Sequence, residues 1–327
     1  MDIINNNVWL LKGGEVFTPT PFAIMGIVNI TPDSFSDGGK YNTELEALAH
    51  ASKLWQEGAS ILDLGAESSR PGAKELSADE ELTRLMPVLN PLSEACKKNK
   101  LQDFALKKEI HLNLIQNTIN VHNLHEQQIL NLCPSKPPYI SIDTYHAKTA
   151  RYALEAGAHI INDISACSFE PELLDIIVQY KPGYVLMHST ASPSTMQDKI
   201  SSDDIIETLQ YFFEKQLHRL TQAGLPEEHI ILDPGIGFGK SVKQNLQILN
   251  SLNKFKHFNR PILAAISMKS FIHKSLGLDS ENLVVRATAT QHITALLGAE
   301  GITYHRVHKV KENIQALKIA YALNNVT

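Results

Sequence analysis

Eight times along this chain a short apolar run ends in polar residues and gives way to a helix-like segment. The runs are 23–29, 60–64, 139–143, 159–163, 183–188, 229–233, 261–266 and 302–306. Apolar runs this short suit buried strands better than helices. The segments between them carry apolar residues at i, i+3 and i+4, as in Leu45, Leu48, Ala49, Leu54 and Trp55, or Ile205, Ile206, Leu209, Phe212 and Phe213. Eight strand–helix units in 327 residues predict one α/β domain, a (β/α)8 TIM barrel with its chemistry on the loops after the strands. A doubly wound sheet is the alternative, disfavoured by the uniform character of the units. Val8–Leu11 and Glu15–Phe17 flank Gly13-Gly14, which predicts an N-terminal β-hairpin that plugs the barrel's N-terminal mouth.

One interval is anomalous. The second run begins near Ser60 and the third near Tyr139, so an insertion of helix or loop occupies about 99–136. Pro134, Pro137 and Pro138 close it. It precedes a strand and is therefore expected at the barrel bottom, away from the chemistry. Around its His111, His122 and His125 no carboxylate or Cys completes a ligand set, so they read as surface or packing residues rather than metal ligands.

Charge narrows the function classes. With 30 basic and 35 acidic residues and no long basic run, a nucleic-acid surface is disfavoured. Three scattered cysteines, Cys96, Cys133 and Cys167, suit a reducing compartment. The N-terminus lacks the basic and apolar regions of a signal peptide, and no apolar stretch is long enough to span a membrane. A cytoplasmic enzyme acting on small molecules is expected.

The run ends carry the chemistry. The first leads into NITPDSFSDGG, with Asn29, Thr31, Asp33, Ser34, Ser36 and Asp37. The second ends in ILDLGAESSRPGA, setting Asp63, Glu67, Ser68, Ser69 and Arg70 beside Pro71-Gly72. The next four end in Asp143, in Asn162 and Asp163, in Met187 and His188, and in Asp233 followed by GIGFGK. The last two give Lys269 and Ser270, then Arg306 and His308. Any single acid among these could be a helix cap, and that reading stays open for Asp143 and Asp163. Polar ends on nearly every strand exceed capping needs and describe a deep polar pocket. Asp143, Asn162, Asp233 and Lys269 suit a flat heterocycle rich in N–H and C=O groups. Asn29, Arg70, Arg306 and His308 would form a cationic rim suited to a diphosphate, with Mg²⁺ sharing the charge. The glycines of GIGFGK, Gly237 among them, permit a tight turn that presents Phe238 to a planar ligand.

MGIVNITPDSFSDGG, ESSRPGA, SIDT, INDIS, LMHS, ILDPGIGFGK, MKSF and RVH occur in the order found in the dihydropteroate synthase family, which the chain resembles over about 22–98 and 139–325. The resemblance implies a folate-synthesis TIM barrel that joins 6-hydroxymethyl-7,8-dihydropterin diphosphate to p-aminobenzoate. By that resemblance Asp143, Asn162, Asp233 and Lys269 hold the pterin, Met187 lines its pocket, and Arg306 stacks on it and approaches the diphosphate. Asn29 lies at the Mg²⁺ end with Arg70 and His308. Ser69, Pro71, Phe238, Lys269 and Ser270 lie on the p-aminobenzoate side, Gly237 is a further substrate-binding residue, and Asp33 belongs to the first of two loops that close over the site. Asp143, Asp233, Lys269, Arg70 and His308 are the residues expected to carry the chemistry. A homodimer and sulfonamide inhibition are expected on the same ground.

Several positions depart from the family pattern: Ala66, Ser69, Met268 in place of a usual Arg, His273, and Lys309 in place of a usual Asp. Met268 and Lys309 motivate one rival reading, a pterin-binding paralogue that does not catalyse condensation. A methyltetrahydrofolate-binding methyltransferase module is another, which leaves the diphosphate-side residues unexplained.

Overall fold

The structure, a computed structural model, describes residues 7–31, 40–67, 75–98, 136–190, 204–278 and 282–324. A hairpin comes first, β1 (Trp9–Leu10) antiparallel to β2 (Val16–Phe17). Eight parallel strands follow: β3 (Ala23–Asn29), β4 (Ile61–Gly65), β5 (Tyr139–Asp143), β6 (Ile160–Asp163), β7 (Gly183–Met187), β8 (Ile230–Asp233), β9 (Leu263–Ala264) and β10 (Tyr304–Val307). Their order is β8-β7-β6-β5-β4-β3-β10-β9. A parallel bridge between Leu232 and Ile262 joins the two ends of that order, and Leu232 N–H donates to Pro261 O at 2.9 Å. The sheet is a closed (β/α)8 barrel, as the eight-fold sequence pattern predicts.

Around it lie α1 (Lys40–Gln56), α2 (Ala78–Lys98), α3 (Ala147–Ala156), α4 (Leu173–Tyr180), α5 (Ile205–Ala223), α6 (Val242–Leu249), α7 (Ser270–Ser275), α8 (Leu283–Ala299) and α9 (Val310–Asn324). Local signals set their ends. Asp204 accepts from the N–H of Ile206 and Glu207 at the start of α5, and Ser241 with Gln244 forms a capping box at α6. None of the described helices is long and apolar enough to cross a membrane.

Successive side chains of a strand point to opposite faces, and this period of two sorts the barrel. Ile24, Val28, Leu62, Leu64, Ile140, Ile142, Ile161, Leu186 and Leu232 pack outward into the core shared with the helices. Ala23, Met25, Ile61, Ile160, Val185, Ile231, Leu263 and Tyr304 point inward and form a separate buried cluster with Trp9 and Leu11 of the hairpin. Most of these inward residues open their strands, so the hairpin seals the N-terminal mouth. Trp9 Nε1 donates to His229 O at 2.7 Å. A Cβ on Gly183 would lie 2.6 Å from Leu11 Cδ2, so β7 begins with the one residue that admits the plug.

Helix α2 ends and β5 begins at that same mouth. The segment 99–135 between them, with Cys133 and the three histidines of the insertion, lies outside the described residues.

Candidate active site

Two residues above the plugging layer, the inward positions change from apolar to polar. Ile61 is followed by Asp63, Tyr139 by Ser141 and Asp143, Ile160 by Asn162, Ile231 by Asp233 and Tyr304 by Arg306, while on β7 Val185 is followed by the apolar Met187. The closed barrel aims these groups at one another although they are far apart in sequence.

Asp63 is the hub. It is fully buried and accepts from Ser141 Oγ at 2.5 Å, Asn162 Nδ2 at 3.0 Å and Arg306 Nε at 2.7 Å. Arg306 uses its other arm, Nη2, to donate to Asp143 Oδ2 at 2.7 Å. One guanidinium thus spans two carboxylates, with its plane fixed in the pocket. Burial raises the pKa of Asp143; Arg306 opposes the rise and Asp63 adds to it. Asp233 is raised by burial too, against the pull of Lys269.

The open question about capping divides the two acids. Asp163 stands one residue past Asn162, hence on the outward face. Its carboxylate accepts from Ser165 N, Cys167 N and Tyr184 OH, so it holds the turn after β6. Asp143 is on the inward face and pairs with Arg306 rather than with a helix end.

Above Asp233 the chain turns through Gly235–Gly239. Lys269 enters from the end of the next unit, its Nζ donating to Ile236 O at 2.6 Å and standing 4.2 Å from the centre of the Phe238 ring. Burial lowers its pKa to about 8, against the attraction of Asp233. Gly237 has φ +83°, and a Cβ there would lie 2.8 Å from Lys269 Cδ. The glycine therefore meets both a left-handed turn and a close approach. Phe238 packs with Met187 and Ile164 in a small apolar cluster beside the polar layer. Ser270, exposed, begins α7 immediately after Lys269.

At the rim, His308 Nδ1 lies 3.0 Å from Ser267 Oγ, and Asn29 is half-buried at the end of β3. Asp33, Ser69, Arg70 and Pro71 lie outside the described residues. The chain on either side of Ser69, Arg70 and Pro71 is anchored. Glu67 accepts from Tyr145 OH at 2.9 Å and from Leu76 N at 3.4 Å, and its Oε2 is 3.6 Å from His146 Nε2. His146 Nδ1 meets Glu170 Oε1 at 2.5 Å. Met268, the departure beside Lys269, has φ +60°, and its carbonyl accepts from Arg286 Nη1 at 3.4 Å. His188, at the end of β7, is buried and edge-on to Phe212, and burial with nearby Lys240 holds it neutral with a pKa of about 3.

Among the described residues no three His, Cys, Asp or Glu side chains converge on a metal position. A Mg²⁺ that keeps its waters and binds substrate phosphates needs only one or two protein oxygens, and the side-chain carbonyl of Asn29 is such a donor.

The pterin binding enzyme family model matches residues 25–101 and 128–308. This chain belongs to that family. Within it, the dihydropteroate synthase of Escherichia coli K12 is 36% identical over 299 residues, which is 91% of this chain and 90% of the relative. A Yersinia pestis dihydropteroate synthase solved with a sulfonamide drug superposes with a TM-score of 0.77 at 31% identity, covering 97% of this chain and 99% of that one. A Xanthomonas albilineans dihydropteroate synthase solved with 4-aminobenzoic acid gives 0.77 at 29% identity, covering 98% and 100%. For a pterin-binding enzyme, the hub at Asp63 is the residue that the motifs left without a role. The signal was present: a lone acid inside ILDLG, two positions from Ile61, must share its inward face and needs a buried cation.

Proposed function

We infer that this protein is a dihydropteroate synthase. It joins 6-hydroxymethyl-7,8-dihydropterin diphosphate to p-aminobenzoate and releases 7,8-dihydropteroate and diphosphate. The observation that carries this reading is the inward ring of Asp143, Asn162, Asp233, Lys269 and Arg306 at the C-terminal mouth, in a chain 36% identical to the E. coli enzyme.

The roles follow from the chemistry. Asp143, Asn162, Asp233 and Lys269 offer acceptors and donors to the edge of a pterin, with Met187 against its face. The bond between the exocyclic carbon and the diphosphate oxygen breaks, and the electron pair leaves with diphosphate. The cation left behind is delocalised into the dihydropterin, where buried carboxylates at Asp143 and Asp233 stabilise it. Arg306, His308 and Arg70 bear on the departing anion. Mg²⁺ bound there would share its negative charge, held by Asn29 and the diphosphate oxygens. The aniline nitrogen, presented by Phe238, Gly237, Ser270 and the Ser69–Pro71 segment, forms the new C–N bond and releases a proton to solvent. Aniline is a weak base and needs no strong general base. Closure of the loops bearing Asp33 and Arg70 would keep water from the cation. The 36% identity to the E. coli synthase over 91% of this chain supports this activity over the non-catalytic paralogue. We further propose a homodimer, and inhibition by sulfonamides at the p-aminobenzoate side, tuned by Ser69 and Met268.

The test is turnover by the purified protein with Mg²⁺ and both substrates, following dihydropteroate and diphosphate together. Equal formation of both is expected, and Lys269→Ala should lose turnover and pterin binding alike. Pterin binding without product would establish the paralogue instead.

A further inference from the structure

Lys240 takes no part in the pterin ring, yet it is one of the most enclosed charges in the protein, 5% exposed. Its ammonium donates to three backbone carbonyls: Gly235 O at 2.9 Å, Phe238 O at 3.0 Å and His188 O at 3.2 Å. Three acceptors match the three donors of an ammonium. Among the described residues it forms no salt bridge. Two of the carbonyls belong to the turn after β8 and one to the end of β7, so a single side chain ties two neighbouring strand ends together.

The turn is held as well by Asn245 of α6, 1% exposed. Its Oδ1 accepts from Gly237 N at 2.7 Å, and its Nδ2 donates to Lys240 O at 3.1 Å and Ser241 O at 2.9 Å. The fit is close. A Cβ on Gly235 would stand 1.9 Å from His188 O and 3.2 Å from Lys240 Nζ. The turn's other groups, Ile236 O and the Phe238 ring, meet Lys269. Backbone held by Lys240 and Asn245 thus sets where Lys269 and Phe238 stand.

We propose that Lys240 is a positioning residue for the p-aminobenzoate half of the reaction: it fixes the Gly235–Gly239 turn at the height where Phe238 and Lys269 receive the aromatic amine. This rests on the synthase reading. Asp143, Asn162 and Asp233 sit on β5, β6 and β8 themselves and the Lys269 backbone caps α7, so the turn's height reaches the pterin half only through the Lys269 ammonium. The charge is costly where it lies: burial lowers the Lys240 pKa to about 7, against the attraction of Asp233. A lysine retained at that cost is explained by what it holds.

The test is Lys240→Met, which keeps the side-chain length and removes every donor. Lys240→Gln, with two donors, serves if the methionine variant does not fold. Four quantities are read: KM for p-aminobenzoate, kcat, the Kd of 6-hydroxymethylpterin by fluorescence, and hydrogen exchange of the Gly235–Gly239 amides against those of α3. The expected result is a rise of about tenfold or more in KM for p-aminobenzoate, with pterin Kd within about threefold and the turn amides exchanging at least about tenfold faster. Equal losses in pterin binding and in KM would overturn the proposal, as would unchanged KM. If the wild-type protein proves inactive, the synthase reading fails separately. Exchange at the turn then still decides whether Lys240 holds it, and unchanged exchange would overturn that.

Discussion

The Asp63 hub predicts an unusual ordering of two substitutions. Asp63 Oδ1 faces Ser141 Oγ, while Oδ2 faces both Asn162 Nδ2 and Arg306 Nε. In Asp63→Asn the amide oxygen can take the Oδ2 place and keep both nitrogen donors. The NH₂ then faces Ser141, whose hydroxyl can turn from donor to acceptor. All three contacts survive and only the charge is lost. The cost is the difference between charge-assisted and neutral hydrogen bonds, about 1–2 kcal/mol. Asp63→Ala removes every acceptor and leaves Arg306 half-paired in a buried site, which costs about 3–5 kcal/mol. Urea unfolding midpoints at pH 7.5, compared at equal m, measure both. The serine switch has its own check: Ser141→Ala should cost more in the Asp63→Asn background than in wild type, because it strands the new NH₂. An Asp63→Ala variant within about 1 kcal/mol of wild type would refute the reasoning that the hub organises the barrel's upper layer.

Other outcomes follow from single contacts. Burial lowers the pKa of His146, but the neighbouring carboxylates of Glu67, Glu170 and Glu81 outweigh this and bring it up to about 9. A pKa raised above the unfolded value of about 6.5 gives stability that is complete below pH 6.5 and disappears as pH rises through 9. His146→Gln should therefore be destabilised by up to about 3 kcal/mol at pH 6 and far less at pH 10, read from thermal melts across that range; a constant gap would remove the ion pairing from the account. Gly237→Ala pairs a left-handed φ with a Cβ 2.8 Å from Lys269 Cδ, so steady-state kinetics should show kcat/KM for p-aminobenzoate falling by about tenfold or more. Replacing 102–127, the stretch that the family model skips, with a short linker should leave kcat and both KM values within about twofold, because its flanks α2 and β5 meet at the N-terminal mouth. A large loss in a folded deletion would place that segment at the chemistry.

The sequence determined the architecture because burial has a period. Eight apolar runs of strand length, separated by segments of helical period, admit few closed solutions, and the runs coincide with β3–β10 to within two residues at every boundary. The shortest strand, Leu263–Ala264, falls inside the expected 261–266, where pairing with β8 thins to a single bridge. The hairpin plug was legible for the same reason: Trp9 and Leu11 alternate and need an apolar floor.

What the sequence could not supply is which polar strand ends face each other. Asp143 and Asp163 look alike as acids closing apolar runs. Only the barrel's inward and outward faces make one a partner of Arg306 and the other a clasp for the turn after β6. Asp63 and Arg306 lie at opposite ends of the chain, and closure through β3 brings them to 2.7 Å. Lys240 reads in sequence as the last letter of a glycine-rich turn. Its enclosure under three carbonyls depends on how β7 and β8 pack side by side. Periodicity is a local property that one chain carries by itself. Charge pairing across a closed barrel is a property of the closure, and it exists only once the strands have met.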